Sequence, residues 1–332
     1  LIVVMLLLLS ACGDDQPAET TAAPPTTSTA ATTAALTTTL PPTTTTSLPP
    51  TTTTAAPASS TTAPSPEVTE DLVYGAWGDE LLTLDMYVPT ESDGAPVVIL
   101  FHGRQSQIPP WIPRDLVMQG ALVFDVVEYP FGNHPEIPAE ALIADGGAGH
   151  RAIAESAACA IHYARARASE QGSESPVVVL AGHSMGTFAS IAALFGSGIE
   201  TRWEEYAVAQ DGPPRQVDCE ITDGSTHVDA FVGMAGTYSM FVGNEEGYGR
   251  EFMQERDPDL WEFLYGSIGE NPDLRVHLIH GEQDTVVPYD ESVVFEAELA
   301  EAGYDVRLIP FYGDHGIPEH LAVPTIIDAI QP

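Results

Sequence analysis

The chain contains no lysine. An amine nucleophile or a Schiff-base mechanism is therefore excluded. Bases of any kind are scarce: 11 arginines stand against 48 acids, for a net charge of −37. Such a charge repels phosphate backbones and anionic lipid, so neither nucleic acid nor an anionic membrane surface is expected as a partner. It suits a soluble acidic surface on an exported protein, or adaptation to salt. Internal repeats are lacking. The polar, acidic stretch 211–229 approaches no EF-hand spacing, so no metal and no cofactor are expected. No feature marks a dimer, and a monomer is the expectation.

The first part of the chain lacks an aliphatic pattern. Residues 13–66 are mostly Thr, Pro, Ala and Ser. Such a segment cannot bury enough apolar surface to offset its ordering entropy. Residues 12–66 are expected to be an extended, disordered stalk, with a reach of up to ~170 Å if wholly polyproline-like. The composition also fits O-glycosylation. Residues 67–332 remain for folded structure, enough for one sizeable core. Only three acids and no base precede residue 67, so this part carries −34.

Ahead of the stalk stands LIVVMLLLLSACGDD. It resembles a bacterial lipoprotein signal peptide, cleaved before a cysteine that takes the lipid. The resemblance implies a signal at 1–11, Cys12 as the lipidated mature N-terminus, and a membrane anchor outside the cytoplasm. The apolar run is short for a bilayer span. A basic leading region and an initiating Met are missing, which implies residues upstream of Leu1. The alternative is an ordinary secretory signal with a chance cysteine. Once Cys12 is assigned to lipid, Cys159 and Cys219 are an even pair in an oxidising compartment. One bridge between them is expected, against two buried thiols.

The folded part alternates apolar runs with helical patterns. Strands are predicted at 81–89, 96–103, 121–130, 176–182, 228–236, 274–281 and 304–311. PVVILFHG and ALVFDVVEYP are continuous apolar runs, as strands buried on both faces require. Helices are predicted at 146–172, from Met185 to Phe195, and at 289–302 and 318–330. The alternation gives an α/β class: a mainly parallel sheet with helices on both faces. Ligands of such sheets bind beyond the carboxyl ends of the strands, so those positions carry the chemistry.

GHSMG at 182–186 fits G-x-S-x-G, follows a predicted strand and opens a helix. That is the context of a nucleophile elbow, with Ser184 as nucleophile and the Met185 amide aimed at an oxyanion. The bland alternative for Ser184 is a helix cap. Serine needs a base, and the order Ser…Asp…His puts it late. His315 lies in a Gly-flanked turn after the last strand, whereas His320 falls in the final helix. Asp284 follows strand 274–281 in a turn closed by Pro288, and would orient His315. Glu282 and Asp290 compete with it, and each reads more simply as a solvated loop charge. Gly103 or Arg104, after strand 96–101, would supply the second oxyanion N–H.

YGAWGDELLTLDMYVP, PVVILFHG, GHSMG and GEQDTVVP together resemble the α/β-hydrolase superfamily, near its feruloyl and acetyl-xylan esterase-like, carboxylesterase-type branch. The likeness covers essentially all of 70–330. It implies an α/β-hydrolase fold with a small cap, a triad of Ser184, Asp284 and His315, and Met185 as oxyanion donor. The implied reaction is hydrolysis of a small-molecule carboxylic ester through an acyl-enzyme. A thioesterase, lactonase, lipase or peptidase would use the same residues, and a silent hydrolase fold would serve as a binding module. Two positions depart from the pattern. Arg104 and Thr187 stand where glycine is common, and Arg104 is either a reader of anionic substrate or a partner of a surface acid. The cap is expected at 237–265, with Tyr238, Phe241 and Trp261 lining a pocket alongside Trp111.

Overall fold

The structure is a computed structural model that describes residues 66–104, 106–130, 132, 144–174, 176–191, 217–222, 224–238, 268 and 271–331, with side chains in the helix beginning at 144 described from 152 onward. The strands are β1 (Glu67–Trp77), β2 (Glu80–Val88), β3 (Val97–Phe101), β4 (Leu122–Val126), β5 (Val178–His183), β6 (Val217–Cys219), β7 (Ala230–Met234), β8 (Arg275–Gly281) and β9 (Asp305–Phe311). The helices are α1 (Trp111–Met118), α2 (Ala144–Glu170), α3 (Met185–Ile191), α4 (Asp290–Glu301) and α5 (Glu319–Ile330).

All nine strands form one sheet in the order β6-β1-β2-β4-β3-β5-β7-β8-β9. The run from β4 to β9 is parallel, and β6, β1 and β2 extend it antiparallel. The predicted α/β class is what the structure has. Strand β3 shows why the apolar runs had to be central. Its Val97, Ile99 and Phe101 face one core, with α2, α3 and α4. Its Val98 and Leu100 face a second core, with α1 and α5. Five consecutive apolar residues are thus buried on two faces, which no alternating strand could do.

Three elements were not predicted. Strand β1 slips register between Thr69 and Leu72 and between Val73 and Gly75. Asp71 sits there at φ +56°, its N–H donating to Asp85 Oδ1 at 2.9 Å. Bulges break the two-residue period that marks a strand. Strand β6 has only three residues. Helix α1 is masked in sequence by Pro109, Pro110 and Pro113, which the first turn of a helix tolerates.

A disulfide joins Cys159 of α2 to Cys219 of β6, with Cα atoms 5.1 Å apart. It closes a 60-residue separation, worth about 4 kcal/mol on the chain-entropy account. Glu155, one turn before Cys159, accepts from Val217 N at 2.8 Å. Edge strand and helix are therefore tied twice.

Candidate active site

Strand β5 ends at His183 and α3 begins at Met185, so Ser184 alone makes the reversal. It holds φ +53°, a region that costs a non-glycine residue about 1–3 kcal/mol. Neighbours over-determine the angle. Ser184 N donates to Met234 O at 2.9 Å, while Thr187 N and Oγ1 donate to Ser184 O at 3.0 and 2.6 Å. Thr187, where glycine is common, thus braces the turn. Gly182 and Gly186 allow the crossing: a Cβ on Gly182 would strike Gly186 O, and one on Gly186 would strike Phe101 O.

The loop after β3 lies against this turn. A Cβ on Gly103 would come within 2.9 Å of Ser184 Cβ. Gly103 O accepts from Ser106 Oγ at 3.0 Å and Ser106 N at 3.2 Å, and His102 Nδ1 lies 2.6 Å from it. Tyr129 Oη donates to His102 O at 2.7 Å, and the His102 ring also meets Val127 O at 2.9 Å. In a trans peptide the carbonyl and the next N–H point opposite ways. Fixing Gly103 O therefore fixes the Arg104 N–H on the other side.

The ends of β8 and β9 bring two predicted residues together. His315 Nδ1 donates to Asp284 Oδ2 at 2.7 Å, and the Asp284 side chain is wholly buried. Its Oδ1 accepts from Val286 N and Val287 N, each at 2.8 Å. The backbone pairing that sets this up continues the parallel β8–β9 ladder, from Glu282 N to Phe311 O and from Gln283 N to Gly313 O, both 2.9 Å. A Cβ on Gly281 would strike Gly313 O, so the two turns pack backbone to backbone. Asp314 anchors the second turn, accepting from Thr285 N and His315 N at 2.9 Å each. Those N–H groups hold its carboxyl below the usual range.

The serine turn and the histidine turn meet through His183. Its Nε2 donates to His315 O at 3.0 Å, and the two rings lie 5.0 Å apart. Burial pushes the His183 imidazole down to about 4, so it is a neutral donor at physiological pH. Ser184 Oγ and His315 Nε2 are not hydrogen-bonded to each other among the described residues.

The competitors are placed elsewhere. Glu282, Asp290 and His320 are exposed. Tyr238 packs inward. It is buried, stacked on Phe295 at 4.4 Å, with its ring against Gly233 and Gly236. Among the described residues it packs as a core residue. Trp111 starts α1 and packs on the second core. Phe241, Trp261, the rest of the expected cap and Cys12 lie outside the described residues. Sequence reasoning passed over His183 and His280. Both sit at strand ends, the position that should have drawn attention to them.

No family model matches the chain, and no curated protein matches it. Solved structures do. A truncated carbohydrate esterase from gut microbiota is 18% identical, covering 79% of this chain and 95% of that one, at TM-score 0.53. The thermophilic esterase Est2 of the planctomycete Thermogutta terrifontis, with propionate bound, is 20% identical over 80% of this chain and 92% of its own, at 0.50. A bifunctional GH43-CE protein of Bacteroides eggerthii is 20% identical over 80% of this chain but 38% of its own, at 0.51. These likenesses are of fold: the chain is α/β-hydrolase-like.

Proposed function

We propose that the protein is a serine hydrolase of carboxylic esters, acting through Ser184, His315 and Asp284. The observation that carries this is one constellation. A serine strained at φ +53° directly follows His183, whose ring bonds His315 O at 3.0 Å, and His315 Nδ1 is held at 2.7 Å by a buried carboxylate. A helix cap would need neither the strain nor the pair.

Ser184 Oγ attacks the ester carbonyl carbon as His315 Nε2 takes its proton. Asp284 keeps the Nδ1–H tautomer and stabilises the imidazolium. The Met185 N–H, at the start of α3, and the Arg104 N–H receive the oxyanion. The tetrahedral species collapses, and His315 returns the proton to the departing alkoxide. Water, deprotonated by His315, then cleaves the acyl-serine by the same route. Short- to medium-chain or small aromatic esters are the proposed substrates. The esterases named above share the fold, and that likeness supports the reading without choosing an ester. The proposal extends to location: a monomer outside the cytoplasm, tethered by lipid at Cys12. The Cys159–Cys219 bridge suits that compartment.

The test is hydrolysis of p-nitrophenyl esters from acetate to palmitate, with Ser184→Ala beside the wild type. The variant should lose on the order of 10⁴-fold or more in kcat. The chain-length optimum would gauge the acyl pocket. Folded wild type that hydrolyses none of them would point to a thioester, lactone or peptide bond instead. If a fluorophosphonate probe also fails to label it, the hydrolase reading is wrong.

A further inference from the structure

Asp284 has a second histidine. His280 is wholly buried near the end of β8, and its Nε2 lies 3.2 Å from Asp284 Oδ2, the oxygen that also binds His315. We propose that His280 is a positioning residue, donating to Asp284 so that the carboxylate is fixed where His315 needs it. The inference rests on the ester-hydrolase reading above.

The partners of His280 fix its proton. Nε2 is 3.0 Å from Val287 O as well as 3.2 Å from Asp284 Oδ2. Both are acceptors, so Nε2 carries the hydrogen and shares it between them. Nδ1 meets Ser292 Oγ at 2.6 Å, and the hydroxyl donates to it. The ring is thus a neutral Nε2–H tautomer, locked from both sides. Burial supports this by pushing its pKa down. The groups facing it are Asp284 on its own loop, Ser292 on α4, and Tyr289 just before α4, whose ring stands edge-on at 5.8 Å. His315 acts on it through Asp284.

The consequence is a carboxylate with four donors. Val286 N and Val287 N hold Oδ1, while His315 and His280 share Oδ2. One imidazole also clamps the Val287 carbonyl, so it closes the 284–287 turn across its mouth. Without His280, Oδ2 would have His315 as its sole donor. The side chain could then rotate, and more of its charge would bear on the His315 imidazolium.

The experiment compares His280→Leu and His280→Gln in the full chain. Activity is p-nitrophenyl ester hydrolysis per active site, counted by fluorophosphonate labelling. His280→Leu should lower kcat on the order of tenfold with KM little changed. The acid limb of its kcat/KM profile should move to higher pH, because the base is released later. His280→Gln places an amide N–H where Nε2 stood, and should restore most of the rate and the wild-type limb. Equal losses in both variants, or an unmoved limb, would overturn the proposal. Failure of both to fold would assign His280 to stability alone and overturn it too. Wild type inactive on every ester would remove the underlying reading. His280 variants at wild-type rate beside a dead Ser184→Ala would remove this inference only.

Discussion

Asp284 follows β8 and Asp125 lies next to the end of β4, and both carboxyls are drawn away from water. Their surroundings differ in one respect. Asp284 accepts from two backbone amides and the His315 imidazole, and His280 Nε2 stands 3.2 Å from it. Asp125 stands directly across the antiparallel β2–β4 pair from Asp85, and no hydrogen bond reaches its carboxyl among the described residues. Burial first, and the Asp85 charge second, push Asp125 up to about 8. Asp85 and Asp125 line a cavity of about 190 Å³ with Tyr87, His102 and Gln107. Burial penalises a carboxylate in both places, and donors decide whether the charge survives it. The fold surrounds Asp284 with donors and leaves Asp125 to take up a proton.

The largest effect should come from removing the charge where the donors expect it. Asp284→Asn turns an acceptor with four donors into a group that brings its own N–H into the ring. It also releases His315 from the Nδ1–H tautomer. We expect a loss on the order of 10⁴-fold in kcat, measured on the best p-nitrophenyl ester. A loss of tenfold or less would mean that Asp284 is a structural anion and that the comparison is drawn in the wrong place.

Asp125→Asn should act in the opposite direction, on stability and with a pH signature. The folded protein keeps the Asp125 proton up to about 8, while the unfolded chain releases it near 4. Between those values the folded state binds more protons, so stability falls as pH rises. Asparagine mimics the protonated form and does not titrate. The variant should gain on the order of 1–3 kcal/mol over wild type at pH 8, and little at pH 4. Urea midpoints at the two pH values measure it. Equal midpoints at pH 8 would show that Asp125 ionises freely.

How much of this was legible in the sequence depends on how local each signal is. The parallel sheet was readable because β3, β5 and β7 are apolar on both faces, a property of consecutive residues. Ser184, Asp284 and His315 could be named as candidates because each directly follows a strand. The Asp85–Asp125 opposition could not be read, since cross-strand register depends on where β2 and β4 pair. His280 was hidden similarly, because only the return of the 284–287 turn brings Asp284 back over its own strand. The stacking of Tyr238 on Phe295 could not be read, because an aromatic after a strand looks the same whether it walls a pocket or packs in the core. Gly233 and Gly236 were the cue, as two missing side chains make room for one ring.

The smallest expected effect sharpens the comparison most, because it separates the two causes acting on Asp125. Asp85→Asn removes the opposing charge and leaves the burial untouched. Its amide oxygen can still accept from Asp71 N, as the carboxylate does at 2.9 Å, so the β1 bulge keeps its anchor. Burial is the larger cause of the shift. Asp125 should therefore stay raised, and the pH dependence of stability should weaken rather than vanish. A gain of roughly 0.5–1 kcal/mol at pH 8 is expected, less than Asp125→Asn gives. Adding Asp85→Asn to Asp125→Asn should then bring almost nothing, since there is no longer a second charge to relieve. Full additivity in that double variant would mean that the two carboxyls do not sense each other.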